Sequence, residues 1–134
     1  MGIDQKYILV VDDNPTNLAV ISQALKAAGY KLRVASDGEE ALAMLERCAT
    51  LQSEQTLPEL ILLDIQMPGI DGFETCHRLQ LNPATKGIPV IFMTALTDAE
   101  SKVKGLSLGA VDYITKPFEQ EEVLARVKVH WRLK

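Results

Sequence analysis

A short apolar run that ends in a carboxylate, Leu60 to Asp64, constrains the fold of this chain most strongly. An unbroken apolar run predicts a strand that is buried on both faces, as the central strand of a parallel sheet is. Ligands bind outside the carboxyl ends of such strands, so we expect Asp64 at the mouth of a site, with Met67-Pro68-Gly69 turning the chain away. An Asp at the end of a single strand is more often a turn former or a helix cap. The residues at the other strand ends must therefore show whether Asp64 has a chemical role.

Similar apolar runs alternate with helix-like segments along the whole chain. They predict strands at 7–11, 31–35, 60–63, 90–94 and 111–115. Helical spacing of apolar residues, together with capping and stop residues, predicts helices that begin near residues 14, 36, 71, 99 and 119. Five strands alternating with five helices is typical of a doubly wound parallel α/β sheet with right-handed crossovers.

Length and charge bound the possible functions. The 134 residues predict one domain, 1–134, with its core at about 6–128. No apolar run is long enough to span a membrane, and the first six residues do not resemble a signal peptide, so we expect a cytoplasmic protein. The net charge of −4 argues against nucleic acid as a direct partner of this domain.

The end of the final helix leaves alternatives open. Val129 and Leu133 fall off its core-facing side, and no Gly or Pro stops it before Lys134. The helix either continues into a further segment, packs on another copy of the chain, or frays.

The two cysteines and two histidines are predicted to lie outside any site. Cys48 and Cys76 lack a CxxC or metal-ligand spacing and fall in helix-like segments, so we expect reduced packing residues. His77 and His130 are isolated in the sequence, and we assign neither a role.

Polar or reactive groups close four of the predicted strands. All carboxyl ends of a parallel sheet lie on one edge, which would gather Asp12, Asp13, Asp64, Thr94 and Lys116. Converging carboxylates raise each other's pKa unless a cation neutralises them. Oxygen ligands without Cys or His favour a hard ion, and few protein ligands suit Mg²⁺ better than Ca²⁺. The alternative is that each acid only caps a neighbouring helix. It explains each residue separately, but it would make the position of all three acids at one edge of the sheet a coincidence.

The remaining groups at this edge indicate a phosphoryl group as the ligand. Lys116 supplies a compact positive charge and Thr94 a hydroxyl, and both suit phosphoryl oxygens. A carboxylate between them can act as the nucleophile, and Asp64 on the central strand is the candidate.

These motifs together resemble the receiver domain of two-component response regulators, over essentially the whole chain. They are, in order, Asp12-Asp13, Asp64 with Met67-Pro68-Gly69, Thr94-Ala95 and Lys116-Pro117. The resemblance implies a flavodoxin-like (βα)5 fold with strand order 2-1-3-4-5, and a cis bond before Pro117.

The resemblance also implies a role for each matching residue. Asp64 is the expected phosphoacceptor. Asp13 and Asp64 are the expected direct Mg²⁺ ligands with the backbone carbonyl of Gln66, and Asp12 acts mostly through water. Thr94 and Lys116 are the expected phosphate-sensing pair, and Tyr113 is the expected switch aromatic, although it also suits an ordinary strand position.

The expected activity is transfer of a phosphoryl group from a histidine kinase or phosphotransfer domain onto Asp64. Such a chain catalyses its own phosphorylation and dephosphorylation and is a switch, not an enzyme that turns over a separate substrate. The expected output surface is the fourth helix, fifth strand and fifth helix, which would meet an output domain, a partner protein or a second copy.

Three alternatives compete with this interpretation. A phosphatase of the haloacid dehalogenase type also uses a strand-end Asp and Mg²⁺, but resembles a DxD motif, and Gln66 stands at the second position here. A flavodoxin-like electron carrier would offer hydroxyls and amides in its first loop, where this chain has Asp12-Asp13. A receiver that has lost phosphorylation would serve only as a docking module.

Overall fold

The computed structural model describes residues 6–50, 57–95, 99–116 and 119–131. Its strands are β1 (Ile8–Val11), β2 (Leu32–Ala35), β3 (Leu60–Asp64), β4 (Val90–Thr94) and β5 (Asp112–Thr115). Its helices are α1 (Pro15–Ala27), α2 (Gly38–Thr50), α3 (Gly72–Leu81), α4 (Ala99–Ser107) and α5 (Gln120–Trp131). Strands and helices alternate as predicted, whereas the predicted cis bond involves Pro117, which lies outside the described residues.

All strand pairs are parallel, in the order β2-β1-β3-β4-β5, which confirms the predicted fold. The three central strands β1, β3 and β4 are completely buried, because helices cover both faces of the sheet. The edge strands begin one residue later than predicted. Pairing with β1 starts at Leu32, and pairing with β4 starts at Asp112.

Two hydrophobic clusters pack on opposite faces of the sheet. One contains apolar side chains of α2 and α3, such as Leu45 and Leu79, and the other contains those of α1 and α5, such as Leu25 and Val127. Within the described ranges no helix has both the length and the apolar character needed to cross a membrane. The cytoplasmic location stays a prediction.

Polar and aromatic contacts hold α5 against β5 and against Tyr30 in the connection that follows α1. Arg126 Nη1 lies 3.1 Å from both carboxylate oxygens of Asp112, and His130 Nε2 lies 3.1 Å from Oδ2 of the same carboxylate. The ring of Trp131 packs edge-on against Tyr30 at 5.1 Å. The sequence left His130 without a role, and the structure gives it a partner 18 positions away.

Cys48 and Cys76 are buried and form no disulfide, in agreement with their predicted packing role. Burial raises the pKa of the Cys76 thiol to about 11, which keeps it protonated at neutral pH.

Candidate functional site

The register of β1 against β3 places two carboxylates side by side. Val11 pairs with Leu63, and the residues that follow each of them are Asp12 and Asp64. The backbone N–H of Asp12 still donates to the edge strand, at Ala35 O (3.1 Å), so Asp12 is held in the sheet and does not leave with the loop. Both side chains are buried, with 0% and 1% of the residue exposed.

The register on the other side of β3 brings Thr94 and Lys116 to the same edge. Asp64 pairs with Met93, and Thr94 pairs with Thr115. The backbone N–H of Lys116 then donates to Thr94 O at 2.7 Å, which extends the parallel pairing by one residue. Thr94 is buried and Lys116 is partly buried. The sheet therefore gathers the side chains that the sequence predicted at this edge.

Three carboxylates form a compact acidic group. Asp12, Asp13 and Asp64 each present an oxygen, and these oxygens lie within 4.8 Å of one another. Asp13 is the exposed member, so the group opens to solvent on one side. An all-oxygen group of this kind, open on one side to water, fits a hard divalent cation such as Mg²⁺.

Lys116 neutralises part of this negative charge. Its ammonium lies 2.9 Å from Oδ1 of Asp64 and 3.5 Å from Oδ2 of Asp12. The other oxygen of Asp12, Oδ1, accepts from the backbone N–H of Asn14 at 2.9 Å. Asn14 in turn caps α1 through Thr16, so the loop after β1 is fixed by its own hydrogen bonds.

Two buried oxygens of the acidic group are not satisfied by hydrogen bonds. Among the described residues, neither Oδ2 of Asp12 nor Oδ2 of Asp64 accepts one, and for Oδ2 of Asp12 the Lys116 ammonium at 3.5 Å is an ion-pair contact longer than a hydrogen bond. A buried carboxylate oxygen in this state is costly unless a cation or ordered water meets it. The residues present therefore fit a metal ion held by Asp12, Asp13 and Asp64.

The pKa of Asp64 is raised to about 6 from its usual value of 3.8. The largest cause is burial, which disfavours the ionised form. The negative charges of Asp12 and Asp13 act in the same direction, whereas the hydrogen bond and charge of Lys116 oppose it. Burial and the neighbouring carboxylates thus favour the protonated form of Asp64, and the nearby cation Lys116 favours the ionised form.

Gln66 and Tyr113 are not members of the acidic group. Gln66 is exposed in the loop after β3, where it borders an open cavity of about 490 Å³ together with Asp13, Met67 and Phe73. Tyr113 is half-buried on β5 and packs against the hydrophobic cluster on the α2 and α3 face. The structure thus places the predicted switch residue in the layer between the sheet and the helices.

Gly72 supports the site, but we did not identify it from the sequence. It is the first residue of α3, and its N–H donates to Ile65 O at 2.8 Å. A Cβ built at Gly72 would lie 2.4 Å from Asp64 O and 2.7 Å from Ile65 Cα. Only glycine lets the helix begin this close to the backbone of Asp64. A glycine one position after an Asp reads as an ordinary helix start, so no sequence signal distinguishes it.

Comparison with known proteins agrees with this geometry. The family described as response regulator receiver domain matches residues 8–128. The DNA-binding dual master transcriptional regulator RpaA of Synechocystis is 41% identical over 121 residues, which are 90% of this chain and 47% of that protein. The chain spans about a quarter to a half of the length of its curated relatives. Because RpaA is named as DNA-binding, the comparisons do not support the expectation that nucleic acid is excluded as a partner.

Two solved structures share the fold closely. A putative response regulator from Chloroflexus aurantiacus superposes with a TM-score of 0.84 and 37% identity, covering 94% of this chain and 97% of that one. The receiver domain of a sensor histidine kinase from Pseudomonas aeruginosa gives 0.80 and 28%, covering 93% and 96%. That structure has a magnesium ion coordinated in its active-site cleft. The phosphatase and electron-carrier alternatives are therefore set aside, and this chain belongs to the response regulator receiver domains of two-component signalling.

Proposed function

We propose that Asp64 accepts a phosphoryl group, in a reaction that requires Mg²⁺, from the phosphohistidine of a histidine kinase or phosphotransfer domain, or from a small acyl phosphate. The observation that carries the proposal is the convergence of three carboxylates and the Lys116 ammonium at the end of the central strand. Asp64 has the position of a nucleophile, since its Oδ2 accepts no hydrogen bond among the described residues.

The proposed transfer is a displacement at phosphorus. A carboxylate oxygen of Asp64 forms the new P–O bond while the P–N bond to the donor histidine breaks, and the electron pair leaves with the imidazole. Asp12, Asp13, Asp64 and the backbone carbonyl of Gln66 would hold Mg²⁺, which when bound neutralises charge on the carboxylates and phosphoryl oxygens. Lys116 exchanges its contact with Asp64 for a phosphoryl oxygen, and Thr94 donates its hydroxyl to another.

We further propose that phosphorylation changes the surface formed by α4, β5 and α5. A phosphoryl group adds nearly two negative charges, which are tolerated at this edge only when Thr94 and Lys116 move toward them. Tyr113 lies on the same strand that leads to Lys116, and would turn inward into the space that Thr94 leaves. Exposed apolar residues on this surface, Val103, Leu106 and Val111, suit a protein partner, either an output domain or a second copy.

The proposal is tested by intact mass after incubation with acetyl phosphate. We expect one added phosphoryl group that requires Mg²⁺, disappears in Asp64→Asn and is released by hydroxylamine. Glu121→Gln is the control, because it removes an exposed carboxyl of α5 that lies in the first turn of that helix.

An adduct on another residue, or one independent of Mg²⁺, would contradict the proposal. Because some receivers accept phosphate only from their kinase, beryllofluoride with Mg²⁺ provides the second test. If the spectroscopic properties of the protein also stay unchanged with beryllofluoride and Mg²⁺, the proposal of a phosphorylated switch would be rejected. The domain would then be tested as a docking module.

A further inference from the structure

The loop that leaves β3 is closed at its base by backbone hydrogen bonds. The N–H of Ile65 donates to Met93 O at 3.1 Å, and the N–H of Gly72 donates back to Ile65 O at 2.8 Å. Asp71 then caps α3 by accepting from the N–H of Glu74. The interior of the loop, residues 66–70, contains the carbonyl that we expect to bind Mg²⁺, yet these bonds at the base do not reach it.

A contact from α2 reaches the far side of this loop. Oε2 of Glu39, in the first turn of α2, accepts from the backbone N–H of Ile70 at 3.3 Å, across 31 positions of sequence. The same carboxylate lies directly over Gly69, since a Cβ built there would be 2.8 and 2.9 Å from its two oxygens. Gly69 has a φ of 76°, a conformation that also favours glycine.

The start of α2 is itself packed tightly against the same region. Gly38 precedes Glu39, and a Cβ at Gly38 would lie 2.2 Å from Oγ1 of Thr75 on α3 and 2.9 Å from Cγ1 of Ile70. The first turn of α2 therefore has a fixed position relative to α3 and the loop. Glu39 therefore extends from a fixed support, as a residue must in order to hold another group in place.

We propose that Glu39 is a positioning residue for the magnesium site. By holding Gly69 and Ile70, it fixes segment 66–70 and with it the orientation of the Gln66 carbonyl. The inference rests on the proposed function, since it requires Mg²⁺ to bind at Asp12, Asp13 and Asp64. Outer groups that orient a ligand contribute to metal affinity although they do not touch the ion.

An acidic residue in the first turn of a helix also has a general role, because it interacts favourably with the helix dipole. Glu40 separates the two effects. It is the next residue on the same turn, carries the same charge, and accepts from Ser36 N at 2.7 Å and Ser36 Oγ at 2.8 Å instead of reaching the loop. Removing Glu40 therefore weakens the start of α2 without releasing the loop.

The test is the Mg²⁺ dissociation constant, measured by isothermal titration calorimetry. Glu39→Ala should raise it about three- to tenfold, the change equivalent to one hydrogen bond. Glu39→Gln, whose amide oxygen can still accept from Ile70, should raise it less than about twofold. Glu40→Ala should leave it unchanged while lowering the melting temperature. A Glu39→Ala protein with the wild-type constant, or equal losses in Glu39→Ala and Glu39→Gln, would overturn the inference.

A double-mutant cycle with Gly69→Ala tests the contact itself. Gly69→Ala alone should raise the dissociation constant, because its Cβ displaces the Glu39 carboxylate. In the Glu39→Ala background that collision is gone, so the further effect of Gly69→Ala should be smaller. Additive effects would mean that the two residues do not act together and would overturn the inference.

Hydrogen exchange of the Ile70 amide in the absence of metal gives a second readout. Exchange should become several-fold faster in Glu39→Ala and stay unchanged in Glu40→Ala. Unchanged exchange in Glu39→Ala would overturn the inference. A wild-type protein that binds no Mg²⁺ would overturn the magnesium site and the inference together, whereas wild-type binding with no effect of Glu39→Ala would overturn the inference alone.

Discussion

The ammonium of Lys116 lies 2.9 Å from Oδ1 of Asp64, although the two residues are 52 positions apart in the chain. Lys116 also lies 3.5 Å from Asp12, so a single cation serves two buried carboxylates. Its side chain is 19% exposed, which leaves it a path to solvent and to an incoming phosphoryl group. In the transfer proposed above, this contact would have to open so that Lys116 can meet a phosphoryl oxygen.

Loss of Lys116 should destabilise the protein in a way that depends on pH. In Lys116→Met the carboxylates of Asp12 and Asp64 lose their cation, and we expect a loss of about 2–4 kcal/mol in the free energy of unfolding near pH 8. The loss should be smaller near pH 5, because Asp64 can then take up a proton. Urea unfolding at the two pH values measures it. Lys128→Met, which removes an exposed cation of α5, is the control, and equal losses in the two variants would contradict the prediction.

The raised pKa of Asp64 predicts how stability changes with pH. Between 3.8 and about 6 the folded protein holds a proton that the unfolded chain has lost. The contribution of Asp64 to the free energy of unfolding therefore falls as the pH rises through about 6. Asp64→Asn should be more stable than wild type by about 2–3 kcal/mol near pH 7.5, and the difference should shrink toward pH 4. Saturating Mg²⁺ should reduce the difference at neutral pH, because it stabilises only the wild-type site.

Chemical denaturation of both proteins across this pH range measures the effect, with Glu121→Gln as the surface control. If the wild-type protein is as stable as Asp64→Asn at neutral pH, burial of the ionised Asp64 does not lower the free energy of unfolding, and the prediction is wrong.

Gly72→Ala should be severely destabilising. The new Cβ would meet the backbone at Asp64 O and Ile65 Cα, and backbone atoms of a buried strand cannot move aside. We expect a loss of about 3 kcal/mol or more, together with weaker Mg²⁺ binding. Gly87→Ala is the matched control, because a Cβ there meets nothing within 4 Å, and its effect should be small. Thermal unfolding followed by circular dichroism distinguishes them, and a stable Gly72→Ala protein would contradict the close approach.

Tyr113→Ala should leave phosphorylation of Asp64 intact but weaken the partner binding or dimerisation that follows it. Tyr113 packs against the hydrophobic cluster beside α2 and α3 and is not a member of the acidic group, so the variant should still be phosphorylated by acetyl phosphate. Its partner binding or dimerisation after phosphorylation should be weaker, whereas Tyr113→Phe, which keeps the ring, should retain most of it. Analytical ultracentrifugation with and without beryllofluoride measures the dimerisation. Unchanged coupling in Tyr113→Ala would remove this residue from the switch.

The strands were predictable because buried parallel strands appear in the sequence as unbroken apolar runs, whereas their order was an implication of the resemblance to receiver domains. Residues 60–63 and 90–93 are of this kind, and the carboxyl-edge rule then placed Asp64 and Thr94 together without any knowledge of side-chain geometry. Element ends were less predictable, since they depend on where a partner strand begins.

Contacts between distant side chains could not be predicted. Glu39 reads as an acidic residue at a helix start, and nothing in its neighbourhood points to Ile70. Asp112 and His130 likewise meet only because α5 folds back over β5. Such pairs follow no periodicity or fixed spacing in the sequence, so they can be identified only from the tertiary structure.

The completely buried strands β1, β3 and β4 have a consequence for how the domain can evolve. Their aliphatic side chains interlock on both faces, so an added phosphoryl group cannot be accommodated by bending the sheet and must be taken up by the loops at its edge. The apolar residues inside these strands therefore contribute mainly to the stability of the sheet, whereas Asp64 and Thr94 at the strand ends belong to the site and contribute to both stability and chemistry. Substitutions of interior apolar residues can change the thermal stability of the domain while its signalling function is kept. Substitutions in the loops can change its partner specificity while the sheet stays the same.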